Sequence, residues 1–501
     1  MLPGAALGVL VGFASLRLAG PYFAIATLAT AEILRLVAAN WIELTRGPLG
    51  VIVPRPRIGL LDGIGLSFAQ YYLMICIVAL AAVLLLVHRL TRSPYGRAWT
   101  VLRDQQKLAE SVGISPLRYR IFAIALSGGI AALAGALLVP KVLVLSPDMF
   151  ALTLSATGLL AAILGGKGTL FGPVLGGVIF AVVPELLRFI DAYRLAVFAF
   201  VLLLLVRLKP GGLASLLPRR ATAVPASEED AGEPRSECGG GNLVVNDLSK
   251  RFGGLSAVSG VSFEVNRNEI LGIIGPNGAG KTTCLSLISG FLEPTAGAVS
   301  IGAATLGAAS HEVASQGLVR TFQHTTICPG VTAFENVLIG THLLLPETAA
   351  AAVFGTPAFH AREKRRAAWA RRCIDVVGLG ARTGEIAGTM AYGEQRMLSI
   401  AVALAARPNF LLLDEPAAGL NHSEALQLAG LLKRLRADGT TIVIIDHNLR
   451  MMMSLCDRLV VLHHGRLLAQ GDPVAIRNQP DVIAAYLGQK HQIREPNYAP
   501  A

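Results

Sequence analysis

Six apolar stretches of near membrane-spanning length crowd the first 217 residues of this 501-residue chain, at 22–39, 68–87, 121–140, 149–165, 171–190 and 194–208. A bilayer core about 30 Å thick takes about 20 apolar residues in helical form. One such stretch could equally be a buried helix of a soluble protein. Six in succession predict an all-α polytopic membrane domain, to which the shorter stretch 3–16 would add a seventh span. Several are rich in Gly and Ala, as in SGGIAALAGALL at 127–138, a composition that lets helices approach closely in lipid.

Charge agrees with this reading. The formal net charge is +11; residues 1–217 hold 18 Lys/Arg against 8 Asp/Glu, and the remainder holds 26 against 25. No dense Lys/Arg run of the kind that grips a phosphate backbone occurs, so the basic balance does not indicate nucleic acid. Basic residues in short loops between apolar stretches instead mark the cytosolic side. The segment 88–120 carries Arg89, Arg92, Arg97, Arg103, Lys107, Arg118 and Arg120 and is expected to be cytosolic. Four spans follow it, which returns the chain to the cytosol at Arg207 and Lys209; counting back puts the N-terminus outside. Glu32 and Arg35, three residues apart within a span, share a helix face. They are either a functional charge pair or an internally paired structural couple. The six cysteines form no C-x-x-C pair, so neither a disulfide frame nor a zinc site is expected.

At 218–241 the composition changes to PRRATAVPASEEDAGEPRSECGGG. This polar run has no apolar periodicity and cannot bury enough surface to offset its ordering entropy; it is read as a flexible tether. The expected organisation is a membrane domain at 1–217, the tether at 218–241, an α/β P-loop domain at 242–490 and a tail at 491–501.

The second domain carries the chemistry. In ILGIIGPNGAGKTTCLSLISG, 270–290, an apolar strand, a Gly-rich turn and a helix start follow in the order a phosphate-binding loop requires. Gly275, Pro276, Asn277, Gly278, Ala279 and Gly280 form the turn whose amides wrap phosphate. Lys281 would reach the β- and γ-phosphates of ATP, Thr282 would ligate Mg²⁺, and Thr283 would meet the α-phosphate. About 135 residues on, NFLLLDEP is an apolar strand ending in two carboxylates, the place for a Mg²⁺ partner (Asp414) and a water-activating base (Glu415).

With Gln323 in RTFQHT, the segment TMAYGEQRML and His447 in IVIIDHNL, residues 243–490 resemble the ATP-binding-cassette ATPases. The resemblance implies that Gln323 contacts Mg²⁺ and the membrane domain, and that His447 contacts the γ-phosphate. It also implies that Phe252, in KRFGG, stacks on adenine; hairpin or core packing is the alternative for Phe252. The signature segment departs from the usual L-S-G-G-Q: Met390 is followed by Ala391, Tyr392, Gly393 and Glu394. This is either a weakened composite site or a subfamily habit, and RTFQH, DEPAAGLN and NQPDVIAAYLG (478–488) are similar to the ATPase of branched-chain amino acid importers. By that resemblance Ala391–Glu394 face the nucleotide of a partner cassette.

Residues 1–217 resemble the permease of the same importers through GPYFAIATLATAEILR (20–35), SPYGRAWTVLRDQQKLAESVGISPLRYR (93–120) and AILGGKGTLFGPVLGG (162–177). The second stretch implies a coupling helix at about 104–113, against the alternative of an ordinary amphipathic surface loop. Gln105 and Gln106 replace acidic residues usual there, and TRGPLG (45–50) is a degraded form of a Gly-rich loop. The match starts well inside a typical permease, so about two or three spans of the family pattern are expected to be absent before Met1, through either an incorrect start or a truncation. The whole implies a fused permease and ATPase of an ATP-driven importer in the bacterial cytoplasmic membrane, with its ATPase in the cytoplasm. The implied partners are membrane lipid, a second permease, a second ATPase and an extracytoplasmic binding protein. The expected cargo is a branched-chain or other hydrophobic amino acid. Urea or short amides as cargo, a half-size exporter and a non-transporting ATP-binding remnant are the rivals.

Overall fold

In hydrocarbon every backbone polar group must be satisfied within its own segment, so the apolar stretches have little choice but helix. The computed structural model describes residues 1–15, 21–54, 67–166, 168–186, short pieces between 199 and 213, and 241–491. They divide into two compact units, Met1–Thr91 with Leu117–Arg220, and Arg92–Pro116 with Ala221–Ala501.

The first unit contains helices Leu2–Ser15, Pro21–Asn40, Phe68–Thr91, Pro116–Val142, Leu152–Gly166 and Gly172–Leu186. Among the described residues, Phe68–Thr91, Pro116–Val142 and Pro147–Gly166 are long and apolar enough to cross a membrane, with mean hydropathies of 2.6, 2.2 and 1.8. The helix pair Ile25–Asn40 and Ile42–Leu49 is bent by 80° and would make a fourth as one broken span. The break falls at Trp41, whose ψ of 72° is not helical. Gly172–Leu186 lies within the expected span 171–190; the last four residues of that span, most of 194–208, the tether and most of the tail lie outside the described residues. Small residues set the packing: a Cβ on Gly128 would lie 2.5 Å from the Gly4 carbonyl oxygen, so the first helix and Pro116–Val142 meet backbone to backbone. Glu32 and Arg35 pair with each other at 2.6 Å, and Arg35 also lies 3.7 Å from Asp148.

The second unit is built on strands that read as unbroken apolar runs, the pattern of a parallel sheet covered on both faces. Ile270–Ile274, Phe410–Asp414 and Thr441–Ile445 are buried at every position. The six-stranded sheet has the order Arg466–Gly471, Arg458–His463, Ile270–Ile274, Thr441–Ile445, Phe410–Asp414, Leu318–Arg320, with only the first pair antiparallel. In register, Ile445 lies beside both Asp414 and Ile273. The carboxyl ends of three strands therefore align at one edge, where open parallel sheets place ligands. A second, antiparallel sheet of Leu255–Val265, Leu243–Phe252, Ala296–Ile301 and Ala304–Thr305 shares a core with it that includes Val245, Val258, Leu285 and Val443.

Candidate functional site

A cleft of about 510 Å³ opens at the aligned strand ends, a size suited to a nucleotide. Of the residues expected to bind nucleotide, it is lined by Phe252, Asn277, Gly278, Ala279, Gly280, Lys281, Thr282 and Thr283, with Glu415 and His447 on its wall. Phe252 is 47% exposed, which removes core packing as its role. Lys281 starts the helix Lys281–Ile288 and its Nζ donates to the carbonyls of Gly275 and Pro276 at 2.7 and 3.0 Å. Burial lowers the Lys281 pKa, while Glu415 and Asp414 oppose the shift.

Asp414 and Glu415 end their strand with different surroundings. Asp414 accepts from Arg320 Nη2 through Oδ2 at 2.8 Å, both side chains being buried. Its Oδ1 is buried with no hydrogen-bond partner. Glu415 accepts from Gln323 Nε2 at 2.7 Å through Oε2 and lies 2.7 Å from His447 Nε2 through Oε1. Two residues from two separate loops thus converge on the Glu415 carboxylate at the cleft. Glu415 sits at φ +48°, a left-handed backbone costing a non-glycine residue about 1–3 kcal/mol.

Mg²⁺ prefers one or two carboxylates completed by substrate phosphates and water. The donor set suits it: Asp414 Oδ1 is unpaired, the Thr282 hydroxyl follows the loop, and no cluster of three or more His, Cys, Asp or Glu occurs among the described residues. Gln323 gives its amide nitrogen to Glu415, and the atom it would offer Mg²⁺ is the amide oxygen.

The signature segment is not in the cleft lining. Ala391 is the N-cap of helix Tyr392–Ala405. Its N–H donates to the Glu394 carboxylate at 3.0 Å, which also pairs with Arg382 at 3.0 Å. Without a Ser hydroxyl at the cap, the N3 carboxylate takes over part of the capping.

The basic segment expected to dock does so within the second unit. Helices Pro94–Asp104 and Gln106–Ser111 bury Ala98, Val101, Leu108, Ala109 and Val112. Arg97 forms a two-pronged pair with Glu363 at 2.8 and 2.9 Å, and Glu363 also meets Arg366. Tyr95 donates to the Glu347 carbonyl at 3.0 Å, and Ser310 to Glu110 at 2.8 Å. The short helix lies inside the expected 104–113, but the docked surface begins earlier, at Ser93. Its charge comes from Arg97 and Glu110 rather than from the expected acidic positions, and Gln106 steadies Glu110 at 2.7 Å.

Sequence reasoning missed Arg320 and Arg396, both nearly fully buried. For Arg320 a signal was available: it is a lone basic residue inside the otherwise assigned motif RTFQ. Because Arg320 compensates a buried carboxylate, Arg320→Met is expected to destabilise the cassette by about 3–5 kcal/mol. Chemical unfolding of the purified chain measures this, and Arg320→Met with Asp414→Asn should recover part of the loss.

Fold and site together define a P-loop ATPase of the ATP-binding-cassette class joined to a membrane permease. Residues 1–206 match the family described as branched-chain amino acid transport system permease component, 258–418 the ABC transporter family, and 466–492 the branched-chain amino acid ATP-binding cassette transporter family. The chain is 43% identical over 249 residues to the high-affinity branched-chain amino acid transport ATP-binding protein BraF of Pseudomonas aeruginosa, covering 49% of this chain and 98% of the relative. It is 42% identical to LivG of Salmonella typhimurium, described likewise, with the same coverage. Among solved structures it is similar to a nucleotide-free ATP-binding cassette from an ABC transporter, at 29% identity and a TM-score of 0.43, covering 49% of this chain and 98% of that one. The chain belongs to the branched-chain amino acid ABC transporter family, with permease and ATP-binding parts in one polypeptide.

Proposed function

We propose that this chain powers uptake of branched-chain, hydrophobic amino acids across the bacterial cytoplasmic membrane by hydrolysing ATP. The observation that carries this reading is the convergence of Gln323 and His447 on Glu415 at the phosphate-loop cleft, in the same compact unit as the docked segment Arg92–Pro116. Residues 1–217 are assigned to the permease, 218–241 to a tether, 242–490 to the cassette and 491–501 to a tail.

Phe252 offers a ring to adenine. The backbone N–H groups of 277–283 and the Lys281 ammonium take the phosphates, for which Lys281 turns away from the two loop carbonyls that hold it. Thr282 and Asp414, with the amide oxygen of Gln323, would hold Mg²⁺, which when bound neutralises phosphate charge and polarises the γ-phosphoryl group. Glu415 accepts the proton of the attacking water, and His447 orients that carboxylate and reaches the γ-phosphate. Ala391, Tyr392, Gly393 and Glu394 face the nucleotide of a second cassette. Closure of the two cassettes passes through Gln323 and the docked helix Gln106–Ser111 to the permease. A second permease, a second ATPase, an extracytoplasmic binding protein and lipid complete the assembly.

Uptake of labelled leucine into vesicles holding this chain and its co-encoded partners tests the reading, with Glu415→Gln as the blank. Uptake is expected to need ATP, to be displaced by valine and isoleucine but not by urea, and to be absent in the blank. Displacement by urea or short amides would move the cargo to that class. Vigorous ATP turnover with no uptake would overturn the importer reading.

A further inference from the structure

We infer that Arg396 is a positioning residue that locks the water-activating carboxylate and the Gln323 loop into one frame and ties that frame to the signature helix. The inference rests on the reading of Glu415 as the base.

The Arg396 side chain is 1% exposed and lies on helix Tyr392–Ala405, just past the signature segment. Its guanidinium donates only to backbone carbonyls. Nη1 reaches Phe322 and Gln323 at 2.7 and 2.9 Å. Nη2 reaches Asp414 at 3.1 Å and also Glu415, and Nε reaches Pro416 at 3.2 Å. The acceptors belong to two chain segments that leave two adjacent strands, Leu318–Arg320 and Phe410–Asp414. Four of these carbonyls lie past the strand ends and that of Asp414 is at one, and buried carbonyls need partners.

The consequence for Glu415 follows from its backbone. Its left-handed φ persists only where the surroundings over-determine it. Arg396 fixes the carbonyls at, before and after it, and the Glu415 N–H donates to Ile445 at 2.7 Å. The side chain is thereby aimed at Gln323 and His447. The same guanidinium holds Gln323 by its own carbonyl, so both partners of the Glu415–Gln323 bond are set from one point. A planar fork with five donors can span two loops; a lysine ammonium, a single point with three donors, cannot.

Arg396 also gives the frame a lever. Displacement of the signature helix start by a partner's nucleotide moves Arg396 with it, and so moves Glu415 and Gln323 of the same chain. Turnover in one cleft then depends on occupancy of the other.

The test is steady-state ATP hydrolysis by the assembled full-length transporter carrying Arg396→Lys, with nucleotide affinity and thermal midpoint measured alongside. Misplacing a reacting group by about 1 Å can cost up to about 100-fold, so kcat is expected to fall about 10-fold to 100-fold. KM and ATP affinity should stay within about 3-fold of wild type, the split that marks loss of positioning rather than of binding, and cooperativity in ATP should disappear. Wild-type kcat with retained cooperativity overturns the inference, as does a parallel loss of affinity and kcat. Glu415→Gln separates the two levels: if it turns over normally the base assignment fails, and if it is silent while Arg396→Lys is normal only Arg396 fails. Should Arg396→Lys not fold, hydrogen exchange of the wild-type complex decides. ATP is expected to protect 321–325, 391–397 and 414–418 as one cooperative unit; independent responses of these segments overturn the link.

Discussion

Glu415→Gln is expected to bind ATP as wild type does and to lose turnover by about 100-fold or more, the range for removal of a positioned general base. The substitution keeps the volume and the left-handed backbone of residue 415. Its amide oxygen can still accept from Gln323, as Oε2 does now at 2.7 Å. Its amide nitrogen can donate to a neutral His447 ring nitrogen where Oε1 now sits. Lys281 and the loop that holds it are untouched, so the phosphates find the same donors. What disappears is the ability to take a proton from water. The measurement is phosphate release by the assembled complex, with retention of labelled ATP after rapid gel filtration. Retained ATP with little release supports the assignment, whereas release at the wild-type rate moves the base elsewhere.

The parts of this site that were legible in the sequence are those whose chemistry is local. A phosphate loop needs its glycines, lysine and hydroxyl within nine consecutive positions, so 275–283 announce themselves. Asp414 and Glu415 follow an apolar strand directly, and the expected strand, Phe410–Asp414, is buried throughout. The convergence of Gln323 and His447 needed a resemblance, because the carboxylate they meet is 92 and 32 residues away in the chain. Arg396 was illegible for a different reason. Its partners are main-chain carbonyls, which leave no residue type to read, and two of them lie 73 and 74 residues upstream. Likewise, the positive loop did not announce its partner, since Arg97 meets Glu363 across 266 residues.

Gly113→Val is expected to abolish uptake while ATP hydrolysis persists. Gly113 sits at φ +83° with Leu343 so close that a Cβ would fall 2.5 Å from it. A β-branched residue there meets backbone strain of about 1–3 kcal/mol and a clash on the docked face. The strain falls on Arg92–Pro116, remote in sequence from the phosphate loop, so hydrolysis has no reason to stop. Arg97→Glu attacks the same contact by charge. Breaking a fully buried pair costs about 3–5 kcal/mol, and less is expected here because Arg97 and Glu363 remain 16% and 21% exposed. Acid should act in the same direction. Burial and the nearby Arg366 and Arg97 push His342 down to about 4; undocking removes Arg97 and raises that value, so protons favour the undocked form as pH falls from the ordinary histidine range towards 4. Burial tends to raise the Glu363 pKa, but Arg97 and Arg366 outweigh it and hold the carboxyl low, so its support for docking is lost only at more acid pH. Uptake per ATP hydrolysed, measured between pH 7.5 and 5, should therefore decline in wild type before hydrolysis does. A constant ratio across that window, together with coupled transport by Gly113→Val, would show that force does not pass through this contact.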